Sequence, residues 1–490
     1  MNFWQLSDGI RLHHQPYHGH DSNGLTAPER LDPAHHSTID AGDDSAGDGG
    51  GGFFSGLVVN SPAAYVSPLD AAYASAHGRA DADQTNSVQI DQHAVQIAGI
   101  GGHGGNGDLA AGGISAVEPP SSSGMTSLGS GATDSGANTA GDGGNGYFYG
   151  GIIHASMVIY EPINISIAAG YDSTALADQT NNASFNQSAL QMAGIGGNGG
   201  DGNLAAGGSA SASTSAAAPE SVATGGNSAG NGGTGSFYGT LLDAPVVIYH
   251  PIDIAVAGPG GTAEASQSNT VQIDQSAIQI AGVGGNGGDS NAAIGGNVMT
   301  SGYGSLSGGW QIESGGNQAG NGGDGSFHGS LVNTSVIVYD PVNIAVAGYD
   351  STTEAHQTNN VNLDQSSLQM AGVGGNGGSG NAAMGGHAGI ASLGLGTGSD
   401  VIATGGNGAG NGGSGHFSGS LIDVSVAIYA PVNIAIAGPH STAEADQTNN
   451  VHIDQSAVQM AGIGGNGGND NFALGGDVAA HLLSDLHLVA

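Results

Sequence analysis

The chain has no cysteine and no lysine, and its 490 residues include only three arginines. Without cysteine there is neither a disulfide framework nor a thiolate metal site. Nucleic acid is excluded as a partner, because its phosphates must be neutralised by Lys or Arg and beyond Arg79 the only basic side chains are histidines. The same lack removes any attraction to anionic lipid headgroups. No run approaches the ~18 consecutive apolar residues of a membrane-spanning helix. The first thirty residues lack the basic start and apolar stretch of a secretory signal, so an extracellular or cell-surface location would be reached without a cleaved N-terminal signal peptide. Aromatic residues are 5% of the chain, too few to fill thick cores, which points to thin stacked layers.

What the chain has instead is glycine, acid and repetition. There are 95 Gly, and 40 Asp and Glu give a formal charge of -37. Segments such as GGNSAGNGGTGSFYGTLLDAPVVIYHPIDIAVAG, from Gly225, return from Gly315 and Gly405 at a spacing of 90 residues. Five units follow: a degenerate first repeat at 46–113, then 135–208, 225–296, 315–386 and 405–476. A His-rich segment, 1–45, precedes them, and 477–490 closes the chain. Self-similarity at a long fixed period is the mark of a stacked repeat architecture. The expected fold class is all-β, a Gly-rich β-solenoid-like or stacked-sheet array.

Each unit has three parts. An aromatic leads into an alternating run such as SVIVYDPVNIAVAG, where β-branched residues at period two predict a strand. Pro341 within it predicts an edge position or a bulge. These runs, VVIYHPIDIAVAG among them, are expected to bury a narrow core. QTNNVNLDQSSLQMAG follows, with alternation that slips after Asp364, predicting one or two short strands. Last come runs such as GVGGNGGSGN, which cannot be helical because Gly costs about 1 kcal/mol per position against Ala. Three readings of these runs stand: disorder, tight turns at positive φ, or close-packed polyproline-II-like segments. Their recurrence at a fixed distance from the same strands favours order. The spacers at 114–134, 209–224, 297–314 and 387–404 read as connections or loops. Val478, Leu482, Leu483, Leu486 and Val489 approximate one face of a helix, either a cap or a C-terminal secretion signal.

If the units superimpose, Gln96, Gln191, Gln279, Gln369 and Gln459 form one amide ladder and Gln92, Gln187, Gln275, Gln365 and Gln455 another; rows of solvated glutamines are an equal alternative. GGDGSF at Gly322 and GNGGD at Gly285 approach a calcium-binding nonapeptide pattern, making Asp201, Asp289 and Asp324 candidate calcium ligands. Calcium is the one cofactor suggested, and diffuse screening by divalent cations is the simpler reading. The column Asp91, Asp274, Asp364, Asp454, with Asn186 in one copy, reads as turn residues. His13, His14, His18 and His20 could bind a transition metal. There is no H-E-x-x-H pair and no phosphate loop with Lys, and repetition of nearly every unusual residue argues against a single active site, so no enzyme is expected.

ADQTNSVQIDQHAVQIAGIGG, at 82–102, resembles the Gln/Asn/Gly-patterned repeats of curli-type functional amyloid subunits, and the Gly-Gly-Asn runs resemble those of repetitive bacterial surface and matrix proteins. The resemblance covers the repeats and lies in composition and rhythm; this unit is far longer than a curli repeat. It implies secretion and self-assembly into an extracellular filament or biofilm matrix, with copies of itself as partners and other matrix components beside them. The alternative is a monomeric repeat adhesin or calcium-dependent binding module. An ice- or mineral-binding surface is a weaker third reading.

Overall fold

The computed structural model describes residues 38–40, 42–117, 132–214, 221–303, 311–393 and 401–482. Among these there is no helix; six five-stranded sheets and one eight-stranded sheet, all parallel, run through a stack of five coils. Each coil, or rung, lies in register on the next, so that Gln279 pairs with Gln191 below and Gln369 above. The fold is an all-β, solenoid-like array whose rungs are the repeats.

The third rung shows the plan. Short strands Ser221–Thr224 and Asn227–Ala229 lead through a Gly run to Gly235–Asp243, Val246–Tyr249 and Ile252–Ala257. A β-turn at Gly258–Gly261, with Gly260 left-handed at φ 70, reverses the chain. The 22-residue strand Thr262–Val283 then runs back along the outgoing ones. Rungs are therefore two-layered, with an outgoing layer and a long return strand.

The return strand is single and unbroken, where one or two short strands were expected. Its alternation does not slip after Asp364: Val361, Leu363, Gln365, Ser367, Gln369 and Ala371 all point inward. Polar residues simply take over the inner face, and Leu368 and Met370 turn outward. The outgoing layer buries alternate residues of its apolar run. Its inward residues are Val247, Tyr249, Asp253, Ala255 and Ala257, while Ile248, Ile252 and Ile254 face out. The core is built from a Tyr/Val/Ile cluster, an all-Ala cluster near the turn and a Phe/Leu cluster near the Gly runs.

Pro341 lies at neither an edge nor a bulge. The strand before it and the strand after it pair with the third rung at the same offset, and Val342 N–H donates to Pro251 O at 2.8 Å. Lacking an N–H, proline interrupts the strand for one ladder bond and the register resumes. The flanks of the spacers are strands too: Ile114–Val117, Ser209–Thr214, Val298–Tyr303 and Ala388–Leu393 stack in one sheet. Val478–Leu482 joins that sheet as a strand, not a helix, because its backbone pairs with Ala388–Ser392; Leu483, Leu486 and Val489 lie outside the described residues. The first described strand of the first rung, Thr38–Asp40, lies inside the segment read as N-terminal. His13, His14, His18 and His20 lie outside the described residues.

The Gly runs are ordered with a period of three, as the polyproline-II reading requires. In the run from Gly196, the N–H groups of Gly196 and Gly199 donate to Val283 O and Asn286 O in the next rung, both at 2.8 Å. Those of Gly197 and Gly200 donate sideways, to Gly144 O and Gly141 O in the rung's other Gly run, also at 2.8 Å. Those of Asn198 and Asp201 donate to side chains of the rung below, His103 Nδ1 at 2.9 Å and Asn106 Oδ1 at 2.8 Å. The sideways bonds continue rung after rung, Gly233 to Gly197, Gly285 to Gly233, Gly323 to Gly285, lacing the two runs together. A Cβ on Gly285 would come within 1.9 Å of Gly197 O, whereas one on Gly50 would meet nothing within 4 Å.

Gly285→Ala is therefore expected to cost ~1–3 kcal/mol by forced overpacking, with Gly50→Ala close to neutral, both read from urea unfolding of the full chain. Equal effects would contradict the close stacking of each rung's run on the same run one rung below.

Candidate assembly interface

Inside a two-layer slab a polar side chain must be hydrogen-bonded or it costs about 1–3 kcal/mol. Here each amide bonds to its own counterpart one rung away. Along Gln96, Gln191, Gln279, Gln369 and Gln459, each Nε2 donates to the preceding Oε1 at 3.1, 2.8, 2.8 and 2.7 Å. Along Gln92, Gln187, Gln275, Gln365 and Gln455 the distances are 2.8, 2.9, 2.9 and 2.7 Å. The second amide hydrogen crosses to the facing layer, as from Gln279 to Val332 O at 3.0 Å. These rows tie rung to rung and layer to layer at once.

Further ladders went unseen in the sequence. Gln84, Gln179, Gln267, Gln357 and Gln447 form a third glutamine row at 2.5–2.9 Å. Asn86, Asn181, Asn269, Asn359 and Asn449 form an asparagine row at 2.8–2.9 Å. From the second rung upward, each Asn Oδ1 of that row also accepts a tyrosine hydroxyl, Tyr249 to Asn269 at 2.8 Å, and the tyrosine rings stack 4.9–5.2 Å apart. Phe54, Phe148, Phe237, Phe327 and Phe417 stack likewise at 5.0–5.3 Å. The signal was present: Gln84, Asn86, Val88, Ile90, Gln92 and Gln96 all fall on one face at period two.

Two aspartates are built into this interior. Asp253 lies in register between Asn164 and Asn343, accepting from Asn164 Nδ2 at 3.0 Å, and Asp243 lies in register between His154 and Asn333. Burial pushes the Asp243 carboxyl from its ordinary 3.8 to about 8 and raises Asp253 well above its ordinary value. Asp253 Oδ2 and Asn343 Oδ1, register neighbours, both lack a donor, as do Asp243 Oδ1 and Asn333 Oδ1. A proton on each aspartate supplies the missing donor. His154, buried with both ring nitrogens unpartnered, is held neutral by desolvation, its pKa lowered.

The remaining sequence candidates do not converge. Asp201 and Asp289 occupy successive rungs of one Gly run, where Asp201 Oδ1 accepts the Asp289 N–H at 2.7 Å and Asp289 Oδ1 accepts that of Ser379 at 2.6 Å. Asp324 sits in the other run, accepting from Ser414 N–H at 2.7 Å. Each is a backbone-bonding residue of a ladder. Asp91, Asp274, Asp364 and Asp454, read as turn residues, lie in mid-strand on the outer face of the return layer. The stacked position raises the Asp274 pKa, through burial first and Asp364 second. Among the described residues, one group places three ligand atoms within 4.8 Å of one another: Glu264, Glu354 and His356, on that same face. His356 Nε2 is 3.5 Å from Glu354 Oε2 and its Nδ1 is 3.6 Å from Asp446 Oδ2.

The fold and its interior define a parallel, solenoid-like β array whose rungs, 88 and 90 residues apart at Gln279, are held by side-chain ladders. No family model, curated protein or solved structure matches this chain.

The buried acids set a pH dependence. The folded chain holds protons that the unfolded chain releases as pH rises from 3.8 to about 8, so stability falls with rising pH through that window and is greatest at its acid end. Asp243→Asn and Asp253→Asn remove the titration while keeping the ladder's shape. Asp243→Asn should raise stability at pH 7.5 by on the order of a few kcal/mol, Asp253→Asn should raise it as well, and both should flatten the dependence of Tm on pH, measured by calorimetry at pH 5 and 7.5. A loss of stability at pH 7.5 would contradict the protonated ladder.

Proposed function

We propose that this chain is the structural subunit of a self-assembling extracellular filament or surface matrix, its rungs extended from one molecule to the next. The observation that carries the reading is the match between its two ends. The fifth rung presents Gln447, Asn449, Gln455, Gln459 and Phe417 where the first presents Gln84, Asn86, Gln92, Gln96 and Phe54. The last return strand, Thr442–Ile463, is exposed along nearly its whole length. Among the described residues no further strand pairs with its far side, and an open edge of this kind is a template for another strand. Fifth rung on first rung is a heterologous contact, which propagates as an open filament instead of closing.

Charge regulates such a junction. In the same register Asp446 would meet Asp83, Asp454 would meet Asp91 and Glu444 would meet Asp81. Stacked like charges repel unless protonated, screened or bridged by a cation. The -37 charge keeps subunits apart at neutral pH and low salt, and acid or divalent cations release them to assemble.

Negative-stain electron microscopy tests this with calcium or chelator, at neutral and mildly acidic pH. Unbranched filaments are expected in acid or with calcium, and Gln455→Lys with Gln459→Lys should abolish them while circular dichroism stays strand-rich. Dispersed particles in every condition would refute the reading and favour a monomeric adhesin.

A further inference from the structure

The isoleucines and valines that the outgoing layer turns outward form one continuous surface. In the second rung the residues pointing out from Ile153 to Ile167 include Ile153, Met157, Ile159, Ile163, Ile165 and Ile167. Each heads a column through all five rungs, so that Ile165 stands over Ala71 and under Ile254, Ile344 and Ile434. In-register pairing and strict alternation persist across the proline break, which makes this a single face. Its rims are open: Tyr65 is 65% exposed, Tyr73 73% and Ile436 53%. Within these columns the only ionisable groups other than tyrosine are Glu161, His250 and Asp340, which share the one column at the break.

With strands ~4.8 Å apart and ~3.3 Å per residue, fifteen residues by five rungs cover on the order of 1,000 Å². That exceeds the few hundred Å² of apolar patch an ordinary monomer exposes. Two such faces brought together would bury about 2,000 Å² in total, the upper end of a standard specific interface.

We infer that this face is where a second copy of the chain docks, sheet against sheet, giving a two-layered slab pair. Three observations select a second copy over other occupants. Columns of β-branched side chains at a fixed rung spacing interdigitate with an identical set, as in a dry zipper between sheets about 10 Å apart. The acidic columns of Asp81, Asp83 and Asp91 lie on the return strand, on the opposite side of the slab, so face-to-face pairing holds the two charged surfaces as far apart as the molecule permits. A lipid surface is disfavoured, since a chain with three arginines and no lysine has almost no cation with which to anchor to headgroups. Pairing by a two-fold axis is isologous and closes at two copies, so it is separable from growth at the rung ends.

Sedimentation equilibrium and light scattering on the full chain, at neutral pH and low salt with chelator, read this contact while end-to-end growth is suppressed. A dimer is expected. Ile254→Asp with Ile344→Asp, in the middle rungs of the face, should weaken it about a hundredfold or more, as loss of buried contacts does. Thr270→Asp, exposed on the return strand, should leave it unchanged. A monomeric wild type at tens of micromolar overturns the inference, as does a dimer indifferent to the Ile pair or equally sensitive to Thr270→Asp. A monomer that floats with neutral phosphatidylcholine vesicles would give the face to lipid instead. A monomer that dimerises only after residues 1–37 are removed would give it to the chain's own N-terminal segment. Filament formation in acid is unaffected by any of these results, so the two readings fail separately.

Discussion

An amide can donate and accept along one axis, and stacking identical amides one strand spacing apart lets each satisfy the next. Everything in this molecule depends on that constraint. Three glutamine rows and an asparagine row run the height of the stack at 2.5–3.1 Å, with a tyrosine hydroxyl joined to the asparagine in every rung but the first. A register slip of one residue would turn every one of these amides to the outer face. The polar interior thus specifies register in a way that an interior of valine alone would not, because hydrophobic contact is non-directional.

Glycine answers a different demand. Where the two layers meet beyond the return strand, the chain cannot continue as sheet, and its N–H groups must be satisfied in three directions. A threefold Gly-Gly-x run does so: one N–H rises to the next rung, one crosses to the neighbouring run, and one donates to the side chain of the x residue below. Asparagine and aspartate at x are equivalent for this purpose, which is why the acid varies between units without the ladder failing. The same variability in the sheets has a cost. At Asp243 and Asp253 an acid replaces an amide in the interior, and only a proton restores the missing donor.

The repeat period, the all-β class and the alternating strands were legible in the sequence because periodicity of two and of 90 are properties of the residue order itself. The inward face was not. The run VVIYHPIDIAVAG was expected to bury a core with no face chosen, and the buried residues are Val247, Tyr249, Asp253 and Ala255 while Ile248, Ile252 and Ile254 turn outward; polarity stopped being a guide to exposure once ladders could satisfy polar groups. The apparent slip after Asp364 has the same origin, since Gln365 and Gln369 continue the inner face that Leu363 begins. The spacer flanks and Val478–Leu482 misled for another reason: strands of three to six residues with Ser, Ala and Gly carry no local signal and are ordered by pairing with the neighbouring rung.

In-register stacking is the claim on which the ladders, the Gly lacing and both surfaces rest. The chain has no cysteine of its own, so a pair can be introduced against a silent background. Ser276→Cys with Ser366→Cys joins outward-facing register partners in adjacent rungs, within the Cα separation of about 4.4–6.8 Å that a disulfide spans. Under mild oxidation at low protein concentration this pair should close quantitatively within one chain, while Ser276→Cys with Leu368→Cys, two residues out of register, should stay reduced. Closure of the shifted pair, or of neither, would contradict the in-register stack.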